Sequence, residues 1–272
     1  MDAKASDTAF GGAIPDLYDR LLVPLIFEPY AIDLVDRLAL AHPARVLEVA
    51  AGTGVVTRRM ASRLPASTSI VATDLNQAML DRAAAVGTER PVQWRQADAA
   101  KLPFGDGAFD AVVCQFGVMF YPDKAAAFAE ARRVLAPGGT FLFNVWDRIE
   151  DNEFTDTVTK ALAALFPDDP PRFMARTPHG YHDLARIAAD LKLGGFATPP
   201  STHTVAARSR AASARLAAMA LCTGTPLRGE IEARHGASLE AACAAATVAL
   251  AARFGDGAVD GRIQAHVVAV EA

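Results

Sequence analysis

The stretch VLEVAAGTG at positions 46–54 constrains this chain more than any other. A short β-branched run leads straight into a turn of very small residues, and positions 55–64, closed by Pro65, have the spacing of a helix. A strand that turns this abruptly into a helix opens a βαβ crossover, and right-handed crossovers build a mainly parallel sheet with helices on its faces. The following sequence repeats the unit. Strands are expected at 69–73, 92–96, 109–115 and 140–145. Helices are expected at 76–85, with Asn76 as N-cap, and at 125–135, stopped by Pro137, Gly138 and Gly139.

After Trp146 the rhythm loosens. Helices are expected at 152–165, 181–193, about 211–221 and about 239–253, around an irregular proline-rich segment at 167–178. A sixth strand is expected at 201–207 and a last one at 262–270, antiparallel beside the sheet because no crossover remains to place it otherwise. Residues 17–40 read as two short helices or a kinked pair, interrupted by Pro24 and Pro29. Residues 1–13 read as frayed. The apolar run 239–252 is short for a membrane span and carries Glu240, so it reads as a buried helix.

At 272 residues, the chain suits one large α/β domain, or one domain with a small appendage. The 51% hydrophobic and 21% charged content is enough for a true core and excludes a wholly disordered chain. A formal net charge of −4 argues against a general nucleic-acid grip. Cys114, Cys222 and Cys243 are far apart in sequence and show no zinc spacing, so no disulfide scaffold or metal is expected and a reducing cytoplasm fits. The N-terminal residues show no apolar core of a signal peptide.

The candidate site follows from the carboxyl ends of the expected strands, where open α/β sheets bind ligands. Small residues after the first strand let the backbone approach a ligand, and the free N–H groups of the following helix favour an anion. Asp74 closes the second strand, and its carboxylate can accept hydrogen bonds from both hydroxyls of a ribose. Asp98 follows the third strand, where it can accept from an exocyclic adenine amine while the next backbone N–H meets a ring nitrogen. Gln115, Phe116 and Gly117 end the fourth strand and would floor the pocket.

These segments together carry a resemblance. VLEVAAGTG (46–54), ATDLNQAML (72–80), ADAAKLPF (97–104), FDAVV (109–113) and RVLAPGGT (133–140) resemble, in order, the class I S-adenosylmethionine-dependent methyltransferases. The likeness is strongest to the branch that includes the ubiquinone and menaquinone methyltransferases, and it covers about residues 44–147. It implies an α/β, Rossmann-like three-layer sandwich with a seven-stranded, mostly parallel sheet and an antiparallel last strand. It implies an N-terminal helical cap at 1–43, a donor-binding core at 44–147, an acceptor-side cap at 148–182 and a C-terminal completion of the sheet at 183–272.

The resemblance also implies roles. Glu48 would orient the first loop and the donor's amino group. Ala50, Gly52 and Gly54 would pass close to the methionyl portion. Asp74 would hold the ribose, with Leu75 and Met79 packing on ribose and adenine. Asp98 and Ala99 would read adenine, Gln115 would line the methionyl end, and Tyr18 would lie over the donor. The family's loop usually begins with glycine where this chain has Ala50, which leaves the loop's backbone angles open.

The implied activity is in-line methyl transfer from S-adenosylmethionine, without a metal, to a small hydrophobic or aromatic acceptor, by a monomer or homodimer with no membrane span. No residue stands at a motif-defined position for a base. His179, His182 and His203 are candidates and Tyr30 and Tyr121 could line the mouth, but for each a surface or packing role outweighs the functional one. Trp146 and Asp147 are expected to face the acceptor. Phe27, Tyr30, Phe154, Phe166, Phe173 and Tyr181, in the segments 14–31 and 148–182, suit an apolar guest. Two alternatives stand beside this reading: an NAD(P)-dependent Rossmann oxidoreductase, and a non-catalytic ligand-binding protein that keeps the fold. Tyr121 has Lys124 three residues later rather than the four a nicotinamide dehydrogenase would want.

Overall fold

The computed structural model describes residues 5–8 and 10–272. In chain order its larger elements are α1 (Ile14–Leu17), a π-helical segment (Tyr18–Phe27), α2 (Glu28–Leu40), β1 (Arg45–Val49), α3 (Val55–Arg63), β2 (Ser69–Asp74), α4 (Gln77–Val86), β3 (Gln93–Gln96), β4 (Phe109–Gln115), α5 (Lys124–Val134) and β5 (Leu135–Trp146). They continue with α6 (Glu153–Leu165), α7 (Phe173–Arg176), α8 (Leu184–Leu193), β6 (Ser201–Ala211), α9 (Ala214–Thr223), α10 (Leu227–Glu232), α11 (Leu239–Phe254) and β7 (Val259–Glu271).

The strands form one seven-stranded sheet in the order β3-β2-β1-β4-β5-β7-β6. β1 to β5 run parallel, and β7 pairs antiparallel with both β5 and β6. The parallel strands read as near-continuous apolar runs because helices cover both faces. On one face Leu34, Leu38, Val56 and Met60 of α2 and α3 pack on Val46, Ile70 and Val113. On the other, Phe128 of α5 meets Phe141 and Phe143 of β5, with ring centroids 5.8 and 5.7 Å away. The strand order reverses between β1 and β4, and the carboxyl ends of those strands flank the crevice where such sheets take ligands.

The last strand is antiparallel, as expected, and enters between β5 and β6. Other expectations need correction. Residues 14–40 form one helical run rather than a broken pair. Pro24 lies inside the π-helical segment, where the Glu28 N–H donates to the Val23 carbonyl five residues back. That wider winding relieves the clash a proline ring makes in an α-helix. Pro29 sits in the first turn of α2, which needs no donor there. The 239–252 run is not buried all round: Ala242, Ala246 and Leu250 make one buried stripe, while Val248 is 69% exposed. The short helices α7 and α10 arise where no helix was expected.

The expected fraying at 1–13 fails for the described part. Asp7 is buried, paired with Arg176 at 2.5 Å, and accepts from the Thr177 hydroxyl. Arg176 also pairs with Glu230 at 2.7 Å, so the cluster ties the start of the chain to α7 and α10. Residues 1–4 and 9 lie outside the described residues. Cys222 and Cys243, distant in sequence, are neighbours across the packed helices α9 and α11. Among the described residues no helix is long and apolar enough to cross a membrane.

Candidate functional site

A cavity of about 180 Å³ opens over the carboxyl ends of β1 to β5. Its first half is made by the turns that end four neighbouring strands. Val49, Ala50 and Gly52 come from the end of β1, Asp74 and Leu75 from β2, Ala97, Asp98 and Ala99 from β3, and Gln115 and Gly117 from β4. The turn after β1 needs left-handed backbone at Ala50 (φ 56°), Gly52 (57°) and Gly54 (85°). Ala50 is a non-glycine in that region, which costs about 1–2 kcal/mol. Its Cβ also sits where a Cβ on Gly117 would fall, at 2.5 Å, so the two turns interlock through one methyl group.

Asp74 fixes this half. One carboxylate oxygen accepts from the Gly52 N–H and the other from the Asn76 N–H, each at 2.8 Å. Each oxygen keeps a lone-pair direction for a further donor. Asn76 stands at the N-cap of α4 but makes no side-chain cap, and the carboxylate of Asp74 takes the backbone donor instead. Tyr18 and Met79 close over Gly52, within 4.0 and 3.6 Å of where its Cβ would be. Asp19 holds that cover in place by pairing with Arg58 at 3.1 Å and Arg82 at 3.0 Å. Gln115 donates to the Phe27 carbonyl at 3.3 Å, and its buried Oε1 has no partner among the described residues.

The other half is aromatic and neutral. Phe116 stacks on Trp146 with centroids 3.8 Å apart and planes at 4°. Phe27 meets both rings at 5.7 and 6.0 Å. Phe10, Phe120, Phe173, Met174, Leu221 and Ile263 extend the apolar wall. The polar groups in it are Thr8, Asn152, Thr155, Thr225 and His179. His179 is buried, and its Nδ1 lies 2.8 Å from the carbonyl oxygen of Asp147. A carbonyl only accepts, so Nδ1 carries the proton and Nε2 presents a lone pair.

Burial governs the ionisation of these groups. Burial pushes the Glu48 carboxyl up to about 8, against the Thr57 hydroxyl that donates to it. Burial also raises Asp74, against the donors around it, the Asn76 and Gly52 amides foremost. Burial lowers His179 to about 4, so it is neutral at neutral pH. Burial, with the nearby charges of Asp74 and Asp19, pushes the Tyr18 phenol well up. Burial works against the Asp147 carboxylate, yet bonds from Gln264, the Arg148 N–H and His266 outweigh it and leave its pKa lowered.

The structure gathers Tyr18, Ala50, Gly52, Asp74, Leu75, Met79, Asp98, Ala99 and Gln115 around one cavity. Two sequence candidates stand apart. Glu48 turns into the core toward Thr57 of α3. Gly54 is required by packing instead: a Cβ there would meet the Trp94 ring at 2.9 Å and Ala83 at 3.2 Å. Asp98 is exposed at the rim, and one of its oxygens accepts from the Ala100 N–H at 2.9 Å.

On the acceptor side Trp146 lines the cavity, but the Asp147 carboxylate turns away to His266 and Gln264. Of the apolar candidates only Phe27 and Phe173 line it. Tyr30 lies behind Phe116 and Trp146, and Tyr181 donates to Asp190. Phe154 and Phe166 are core residues. Tyr121 lines the cavity with its hydroxyl 3.3 Å from the Cys114 sulfur. Among the histidines His179 lines the cavity, while His182 bonds the His179 carbonyl at 2.9 Å and His203 lies out on β6. Thr8, Asn152, Thr155 and Thr225 were not foreseen, and no motif marks them.

This sheet order and small-residue turn are those of the class I methyltransferase fold, and comparison with known proteins agrees. Residues 47–143 match the methyltransferase domain family. They form a class I S-adenosylmethionine-dependent methyltransferase domain related to the ubiquinone/menaquinone C-methyltransferases.

The chain is 43% identical over 102 residues to the ubiquinone/menaquinone biosynthesis C-methyltransferase of Ectopseudomonas mendocina, covering 36% of this chain and 40% of that one. It is 36% identical over 131 residues to an uncharacterized protein of Mycobacterium tuberculosis, covering 46% of each. The match thus spans less than half the length of these curated relatives. Among solved structures, the YcgJ protein of Bacillus subtilis shares the fold at a TM-score of 0.55 and 18% identity, over 89% of this chain and 98% of that one. The cyclase SpnF shares it at 0.59 and 19%, over 100% and 98%.

Proposed function

We propose that this protein transfers the methyl group of S-adenosylmethionine to a small, uncharged aromatic or hydrophobic acceptor. The observation that carries the reading is the Asp74 carboxylate, held by the Gly52 and Asn76 amides at the end of a cavity whose far half is aromatic. The donor set fits the adenosyl group. Asp74 offers two oriented oxygens to vicinal hydroxyls, Asp98 stands at the rim for an exocyclic amine, and Leu75 and Met79 supply apolar faces. The orphan Oε1 of Gln115 suits a cationic or N–H group at the other end. Glu48 serves by fixing the turn rather than by touching the ligand.

When bound, the donor supplies an already activated methyl group, so alignment and exclusion of water are what remain for the protein. The interlocked Ala50 and Gly117 turns set the backbone floor. Tyr18, Phe10 and Phe120 close the roof, with Phe10 at 6.0 Å from both other rings. The wall of Phe27, Phe116 and Trp146 keeps the acceptor end dry and binds a flat apolar guest. The acceptor half carries no ion pair among the described residues lining it, which disfavours a charged substrate.

Calorimetry with S-adenosylhomocysteine and with NAD tests the donor. Binding of the first and not the second is expected, and tight NAD binding alone overturns the reading. Labelled donor offered with phenols, quinols and amines tests transfer. Donor binding with no transfer across that panel would place the protein among non-catalytic binders of the fold.

A further inference from the structure

We propose that His179 is the general base of the reaction, and that the acceptor therefore carries a hydroxyl group on an aromatic ring. The inference rests on the methyl-transfer reading above. His179 is held in one orientation from three directions. Its Nδ1–H donates to the Asp147 carbonyl at 2.8 Å, and its own N–H donates to the Met174 carbonyl at 3.0 Å. Its ring lies against Trp146, centroids 5.9 Å apart. The tautomer this fixes leaves Nε2 as an acceptor, and among the described residues it has no hydrogen-bond partner. The ring nonetheless lines the cavity, as do Asn152, Thr155 and Trp146.

The surroundings keep the lone pair available. The ionisable groups that reach the ring are His182, Glu150 and Asp147. The N-cap and first turn of α6 present neutral Asn152 and Thr155, and β7 presents Ile263. Burial holds the imidazole neutral down to about pH 4. So weak a base is sufficient here, because a hydroxyl becomes strongly acidic as its oxygen gains a methyl group. The acceptor oxygen forms the new bond to the methyl carbon, and the electron pair of the broken carbon–sulfur bond stays on sulfur. The hydroxyl proton moves to Nε2, and the imidazolium returns it to solvent after the ether leaves.

The first test needs no turnover. Nitrogen-15 shifts of the His179 ring, assigned through its contact with Trp146, should show Nδ1 protonated and Nε2 bare at pH 7, with protonation only as the pH approaches 4. A ring protonated at Nε2 or charged at pH 7 overturns the proposal. The second test uses 2-naphthol as the acceptor with labelled donor. His179→Gln should lower kcat about 10²- to 10⁴-fold while the Kd for S-adenosylhomocysteine stays unchanged. A variant that keeps the wild-type kcat overturns the base and leaves methyl transfer standing. Wild-type protein that methylates amines or carbon but no phenol does the same. Wild-type protein that binds no donor analogue, or labels nothing, overturns the methyl-transfer reading itself.

Discussion

The half of the cavity around Asp74 is made from backbone turns at the ends of four adjacent strands, whereas the half around His179 is made from side chains drawn from the whole length of the chain. The first half consists of positions that local geometry dictates. Its left-handed turn and its strand-end carboxylate are consequences of how a parallel sheet meets its helices. The second half depends on which loops happen to fold over the sheet edge. Thr8 and Phe10 follow Asp7, which Arg176 clamps, and Thr155 sits on α6, which packs on β7 and α11. A family can therefore keep the donor end in a short, ordered stretch and change the guest by changing caps. The family match at 47–143 holds every turn of the first half, whereas the second half also draws on residues before and after it.

The sharpest way to break the comparison is at Asp74. Asp74→Ala removes the charged acceptor for two hydroxyls and should weaken S-adenosylhomocysteine binding by about 2–3 kcal/mol, roughly 30- to 150-fold in Kd. Calorimetry that shows the same affinity would falsify its place in the donor half. A perturbation confined to the other half should do the reverse. Gly180 follows His179, and a Cβ there would lie 2.0 Å from the Arg176 carbonyl oxygen. Gly180→Ala should cost about 1–3 kcal/mol of stability by urea denaturation. It should also raise KM for a phenol while the affinity for S-adenosylhomocysteine holds. Loss of donor affinity in step with phenol KM would mean the halves are not separable.

These contrasts explain what could be read from the chain. The strand–turn–helix pattern at 46–54 and the aspartates at 74 and 98 announce themselves by spacing, because the period of a strand and the length of a crossover put them at one edge. Glu48 and Gly54 shared that signal, yet neither lines the cavity. Spacing alone cannot distinguish a residue that touches the ligand from one that holds the loop that does. His179 had no spacing to mark it. Its role depends on a single backbone carbonyl, that of Asp147, which fixes the tautomer and exists only once the chain is folded. The π-helical segment was equally hidden, since a proline in a helical pattern ordinarily reads as a break.

Glu48 offers a test of the supporting layer through pH. Its folded pKa, about 8, lies above the ordinary glutamate value. The folded state thus holds the proton more tightly than the unfolded one. That contribution is complete below the unfolded pKa and is lost as the pH rises through about 8. Glu48→Gln removes the dependence, so the variant's stability should gain on wild type from pH 5 to pH 8 by an amount on the order of 1–3 kcal/mol. Urea denaturation at the two values measures it. A constant difference between variant and wild type would show that Glu48 is ionised in the fold throughout.

The smallest expected effect sits at Ala50, a non-glycine residue in left-handed backbone. Relieving the left-handed alanine should return about 1–2 kcal/mol, while the freer unfolded chain takes back roughly 0.4–1 kcal/mol. Ala50→Gly should therefore raise stability by no more than about 1.6 kcal/mol and leave the affinity for S-adenosylhomocysteine within a few-fold. The more telling measurement pairs it with Gly117→Ala, whose new Cβ would meet the Ala50 Cβ at 2.5 Å and the Cys114 sulfur at 2.6 Å. Only the first clash disappears when position 50 is glycine. The double variant should recover part, but not all, of the stability lost in Gly117→Ala, giving a coupling of about 0.5–3 kcal/mol. Strict additivity would mean that the methyl group of Ala50 does not join the two turns, and that the donor half tolerates its unusual residue for some other reason.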